Sequence, residues 1–225
     1  MDLTTRRTFL ESLAKAASAV VLAPLATACS SDTPAQTAAA SGGEVDPLAV
    51  PRSRPADWDP IAFNRTRGNA GAIPQTYWPQ INGPDGATNH LGKHLPYVPA
   101  IDAAQLPAGH LALMWGDPSK GYARHPNAVP GPDNNGEGHW FNWIEVRKAT
   151  DGEASVARSS YGEWPGEAGD PHYLVEGGGD IRADAGKHTI YLAALPPDVV
   201  PGDLVRIHAH CLTHGEYVDF LVVPG

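Results

Sequence analysis

Apolar and polar residues alternate most cleanly near the C-terminus. Over Leu204–Cys211, the side chains of Val205, Ile207, Ala209 and Cys211 fall on one face of an extended chain. Arg206, His208 and His210 fall on the other. This places the Cys211 thiol among apolar neighbours and turns His208 and His210 away from it. Upstream, His110–Trp115 is a short apolar run, Phe141–Val146 alternates around Trp143 and Ile144, and His188–Leu195 repeats the strand pattern. Ala154–Arg158 and His172–Val175 are weaker candidates, and Tyr217–Val223 closes the chain. Pro196-Pro197 and Pro201-Gly202-Asp203 supply turns between strands. About seven short strands at this spacing predict an all-β domain, an immunoglobulin-like antiparallel β-sandwich over residues 91–225.

The chain before that domain reads differently. Residues 61–90 hold Tyr77, Trp78 and several Gly, Pro and Asn but show no period, which predicts an irregular N-terminal extension. Residues 29–60 are rich in Ser, Ala, Thr, Pro and Gly and predict a flexible linker. Residues 1–28 carry Thr5-Arg6-Arg7-Thr8-Phe9-Leu10, which resembles the twin-arginine export motif. The apolar stretch that follows, Ala16–Ala28, is too short to span a bilayer and contains Pro24, so it predicts a signal peptide. That assignment implies passage through the twin-arginine export machinery to the periplasm or cell envelope. Ala26-Thr27-Ala28 is a small-x-small cleavage site, while the same residues ending in Cys29 form a loose lipobox that would make Cys29 a lipid anchor. Both readings stand.

Charge and cysteine usage narrow the function. A formal net charge of -9 makes nucleic acid and anionic membranes poor partners. Two cysteines exclude a disulfide scaffold, and with Cys29 at the leader junction Cys211 has no evident partner. A lone cysteine in an oxidising compartment calls for a reason, and metal ligation supplies one. Cys211-Leu212-Thr213-His214-Gly215 sets a thiol and an imidazole three residues apart. Zinc sites use such pairs, but structural zinc wants four closed ligands. A cupredoxin-like copper electron carrier would add a second histidine and often an axial methionine, and the methionine outside the initiator is the distant Met114.

Further candidates lie upstream in order: Lys93-His94-Leu95-Pro96, then His125-Pro126, then His139-Trp140-Phe141-Asn142-Trp143-Ile144-Glu145. Together with Cys211–Gly215 these resemble the motifs of the superoxide reductase family, the desulfoferrodoxin and neelaredoxin iron domain. That family shows Lys-His-x-Pro, His-Pro, His-aromatic-Ile-x-Trp-Ile-Glu and Cys-x-x-His-Gly. The resemblance covers Leu91 to Val223 and is to the one-iron type, since the cysteines of a rubredoxin-like module are missing. It implies a mononuclear iron cycling between Fe(II) and Fe(III). The imidazoles of His94, His125, His139 and His214 would bind it in a plane, with the Cys211 thiolate below and a sixth position open. It implies reduction of superoxide to hydrogen peroxide, with Lys93 attracting the anion and helping to deliver a proton. An unidentified electron donor would complete the cycle, and another small oxidant could replace superoxide. Arg124 and Lys120 would add to the local positive field, which reaches only about 8–10 Å in salt.

The chain departs from the family in three ways. Asn127–Gly138 lengthens the spacer between His125 and His139, so that it either bulges outward or displaces a ligand. Gly92 stands where the family commonly has a glutamate that can fill the sixth position. The net charge is more negative than an anion-consuming enzyme would suggest. A non-catalytic metal-binding envelope protein on the same fold is therefore a rival reading. His90, His110, His172 and His188 have no motif support, with His90 and His110 the first substitutes should a ligand fail. Trp140 and Trp143 are expected to pack on opposite faces of their strand. Small sandwiches also pair through sheet edges, so a homo-oligomer is an expected form.

Overall fold

Two four-stranded antiparallel sheets face each other across an apolar core. The computed structural model describes residues 46–225 except 135, 153–154 and 166–169. The expected signal peptide, Cys29 and the first part of the linker lie outside the described residues, as does Ala154 of one expected strand. Among the described residues the strands are β1 (Pro96–Tyr97), β2 (His110–Trp115), β3 (Phe141–Lys148), β4 (Val156–Ser160), β5 (Tyr173–Val175), β6 (Thr189–Ala194), β7 (Leu204–Cys211) and β8 (Gly215–Val222). One sheet runs β1-β2-β6-β5 and the other β4-β3-β7-β8. This β-sandwich has one strand more than the alternation predicts, because β1 spans two residues and leaves no pattern.

The core follows the alternation. Val205, Ile207, Ala209 and Cys211 of β7 are buried against Leu111, Leu113 and Trp115 of β2 and Tyr191 and Ala193 of β6. Strand β3 departs from strict alternation. Phe141 pairs with Cys211 but Trp143 pairs with His210, so Asn142 is an extra residue in the ladder. This bulge sends Phe141 inward while Trp143 lies on the outer face, stacked on His210 with ring planes 9° apart. Trp140 packs inside, its indole N–H donating to the Tyr161 carbonyl at 2.9 Å.

Residues 61–90 are ordered as a series of short helical turns. Helix α1 (Pro60–Arg67) starts at Asp59, whose carboxylate accepts from the Ile61 and Ala62 amides, with Pro60 in the first turn. Helix α2 (Trp78–Asn82) and π or 3₁₀ turns at Gly68–Ala72, Gln75–Tyr77, Ala87–Leu91 and Gly92–His94 follow. None runs long enough to print a 3.6-residue period. Their apolar residues Ile73, Ile81 and Leu91 pack on Tyr217 of β8. Buried Asn64 completes the edge: its side chain donates to the Val218 carbonyl at 2.7 Å and accepts from the Val218 amide at 2.8 Å. A side-chain amide thus replaces a neighbouring strand, leaving that edge covered.

The described end of the linker also docks. The Trp58 indole N–H donates to buried Asp219 at 2.8 Å, and its ring meets Phe220 edge-on at 4.8 Å. Arg206 donates to the Pro51 carbonyl at 2.7 Å. Residues 46–60 therefore line the sheet, a role that the surrounding low-complexity composition conceals. Among the described residues no helix is long and apolar enough to cross a membrane.

Candidate metal centre

Four chain segments converge at one end of the sandwich. His94 ends the 3₁₀ turn Gly92–His94. His125 lies in the loop after β2, where its amide donates to the Trp115 carbonyl at 3.1 Å. His139 sits just before β3, Cys211 ends β7, and His214 lies in the turn to β8. One ligand atom from each of these five residues lies within 4.8 Å of all the others. His214 Nδ1 is 3.1 Å from His94 Nε2 and 3.0 Å from His139 Nε2. Cys211 Sγ is 3.6 Å from His214 Nδ1 and 3.7 Å from His125 Nε2.

Backbone conformation makes this possible at the hairpin. Cys211 and Gly215 are paired, with Leu212-Thr213-His214 between them. Gly215 has φ +83°, and a Cβ there would lie 2.2 Å from the Ala72 carbonyl oxygen. Only glycine closes the turn so near the helical layer. The tight return brings His214 back over the sulfur. The amides of Thr213 and His214 also donate to Cys211 Sγ, which favours its thiolate.

The insertion between His125 and His139 leaves both histidines in the cluster. Its base is clamped by an antiparallel bridge, with the Ala128 amide donating to His139 O at 2.9 Å and the His139 amide to Ala128 O at 2.8 Å. Asn127 adds a second anchor: its amide side chain donates to the Gly186 carbonyl at 2.8 Å and accepts from the Tyr191 hydroxyl at 2.6 Å. The loop therefore bulges beyond the clamp, and the two imidazoles stand 4.4 Å apart.

Electrostatics prepare the cluster for a cation. Burial is the main cause that lowers each imidazole: His214 to about 2, His139 to about 4, and His94 and His125 well below the ordinary histidine value. All four are neutral at pH 7, as metal ligands must be. Burial pushes the Cys211 thiol up to about 12, against the pull of its two backbone donors and Lys93. A bound cation would therefore displace the thiol proton. His94 is set in the correct tautomer by its Nδ1–H, which donates to the His90 carbonyl at 2.6 Å and leaves Nε2 free for the cluster. Among the described residues His125 Nδ1 is buried without a hydrogen-bond partner, with Asn127 beside it.

Lys93 is half-buried beside the cluster. Burial lowers its pKa, and the Cys211 charge opposes that shift. Arg124 and Lys120, expected to strengthen the local field, are committed elsewhere. Arg124 forms a two-pronged pair with Glu176, one arm at 3.1 Å, and Lys120 lies 4.0 Å from Asp117. Arg124 is paired with an acid from the turn after β5, and Lys120 with one on its own loop.

Several histidines separate from the site. His208 bonds Glu216, His210 bonds Asn142, His172 bonds Asp170, His188 bonds Glu176, and His110 bonds the Ala108 carbonyl. His90 is different, because it supports the cluster without joining it. Its Nε2 is 3.1 Å from the Tyr217 hydroxyl, which donates to the His214 carbonyl at 3.2 Å. The Tyr217 ring stacks on His94 at 4.3 Å and 7°, and the Tyr77 ring meets His214 edge-on at 4.4 Å. The four-residue step from His90 to His94 was the available signal, while Tyr217 lies 127 residues away from its partner.

Gly92 is also explained. A Cβ at this position would lie 2.3 Å from the Tyr122 ring and 2.7 Å from the Ala87 carbonyl oxygen. Any side chain at residue 92 would force Tyr122 and the Ala87 turn to shift. Comparison with protein-family models, with curated proteins and with solved structures finds no match for this chain.

Proposed function

We propose that this chain is an exported mononuclear non-haem iron oxidoreductase, built on an immunoglobulin-like sandwich, that reduces superoxide to hydrogen peroxide. The observation that carries this reading is the convergence of four imidazoles and one thiol within 4.8 Å. The donor chemistry fits iron. Neutral imidazoles suit it, and five donors exceed the four of a closed structural zinc site. His94, His125, His139, His214 and Cys211 would hold the ion, which when bound would supply the one-electron chemistry that superoxide reduction needs.

The chain's own residues have separate tasks. The Lys93 ammonium attracts and orients an anion at short range, where screening is weak, despite the acidic surface. The Thr213 and His214 amides would stabilise the thiolate once a bound cation displaces its proton. Phe141 and Tyr217 exclude water from the inner side of the cluster, since both are essentially inaccessible. His90 and Tyr217 fix the orientation of His94 and His214. An external reductant resets the site after each turnover.

A copper electron carrier is the rival. It is disfavoured because Met114 accepts from the Tyr97 hydroxyl at 3.4 Å and packs in a separate apolar cluster with Ala112, Ile190 and Leu192. Metal analysis of natively exported protein tests the choice. We expect about one iron per chain and a thiolate-to-metal visible band lost in Cys211→Ser. Copper with an intense blue band would overturn the iron reading. Superoxide should yield peroxide with consumption of reductant; peroxide plus dioxygen without reductant demand would mean dismutation.

A further inference from the structure

A cleft of about 440 Å³ opens beside the cluster, over His214 and Lys93. Its walls include Tyr77, Pro79 and Pro84, and exposed Asp85 stands among the lining residues. This space is far larger than a diatomic oxidant needs, since one water occupies only about 30 Å³ in the liquid. Its volume falls in the range of small-molecule sites, roughly 300–1,000 Å³. Its composition is equally specific. Lys93 is the cation of the lining, half-buried, with no carboxylate at salt-bridge distance among the described residues. A desolvated ammonium without a counter-ion calls for an anion. The proline and tyrosine walls favour a flat organic body over a hydrated inorganic ion.

We propose that this cleft binds a ring-sized organic anion bearing a hydroxyl group, of the hydroxylated aromatic acid type. The ligand's charge would be held at Lys93, its ring against Tyr77 and the prolines, and its hydroxyl toward Asp85. The inference goes beyond the iron reading and does not need it, because it concerns equilibrium binding to the cleft.

The test is calorimetric titration of the full-length protein as purified with para-hydroxybenzoate. Saturable one-site binding is expected. The uncharged para-hydroxybenzyl alcohol should bind about tenfold more weakly, and Lys93→Gln should lose a similar factor, the scale of one charge-assisted hydrogen bond. Asn89→Trp, at an exposed lining position, should abolish binding by filling the cleft. If that variant fails to fold, Gln80→Trp at another exposed lining position serves the same purpose. Absence of saturable binding overturns the proposal, as does binding unchanged in Lys93→Gln and the tryptophan variants. Equal affinity for the uncharged ring would overturn the assignment of an anion. The metal content of the same samples is read independently, so failure here is distinguishable from failure of the iron reading.

Discussion

Replacing Gly215 by alanine tests how the Cys211–Gly215 hairpin joins the helical layer. The backbone there has φ +83°, and an added Cβ would lie 2.2 Å from the Ala72 carbonyl oxygen and 3.1 Å from Ile73 Cα. A left-handed conformation costs a non-glycine residue about 1–2 kcal/mol. The clash is with backbone, which cannot rotate away, and overpacking of this kind adds about 1–3 kcal/mol. The sum, about 2–5 kcal/mol, is a large part of the 5–15 kcal/mol that stabilises an ordinary domain. Gly121 is the control: its φ is +75°, and an added Cβ would meet nothing within 4 Å. Gly121→Ala should therefore lose only the conformational part, about 1–2 kcal/mol. Urea unfolding followed by tryptophan fluorescence compares the two, provided their slopes agree. Gly215→Ala should be the less stable by at least about 1 kcal/mol, and should retain less metal because His214 moves with the hairpin. Equal losses in the two variants would refute the steric account.

Three other expectations follow from the same geometry. Metal-free protein should lose stability as pH falls. His90 and His139 titrate near 4 and His214 near 2 in the fold, so the unfolded chain, near 6.5, takes up protons first. The stabilisation is fully present above about pH 6.5 and declines below it, by up to about 1.4 kcal/mol per pH unit for each histidine; thermal midpoints that stay level on acidification to about pH 5 would contradict it. Gly92→Glu should destabilise by about 1–3 kcal/mol through the Tyr122 clash, and adding Tyr122→Ala should recover part of the loss in urea midpoint. No recovery would show that Tyr122 is not the obstacle. Asn64→Ala removes both hydrogen bonds to Val218 and should cost about 2 kcal/mol, with faster hydrogen exchange at the Val218 amide; unchanged exchange would mean that the edge is protected by packing alone.

The candidate ligands were legible in the sequence because their chemistry is carried by residue type and short spacing. Strict alternation over β7 also separated Cys211 from His208 and His210, because strand periodicity acts residue by residue. The bulge at Asn142 was not legible, since one extra residue in a ladder resembles ordinary alternation shifted by one. The helical layer escaped for another reason. Its turns are short and mix π and 3₁₀ geometry, so Ile73, Ile81 and Leu91 reach Tyr217 without a helical period. The support given by His90 and Tyr217 is likewise long-range, and spacing alone carries no record of it. Arg124 illustrates the opposite case: it is expected to add to the local positive field, but Glu176 claims its charge.

The bridge between Ala128 and His139 separates ligand geometry from loop length. Closing a flexible loop costs only about 0.6 kcal/mol more for each doubling of its length. Residues 129–137 can therefore be exchanged for longer peptides while the clamp, Asn127 and Gly138, whose carbonyl accepts from Thr213, hold the two imidazoles in register. That makes the loop a graft site, where a recognition epitope or a tether could be carried without re-engineering the cluster below.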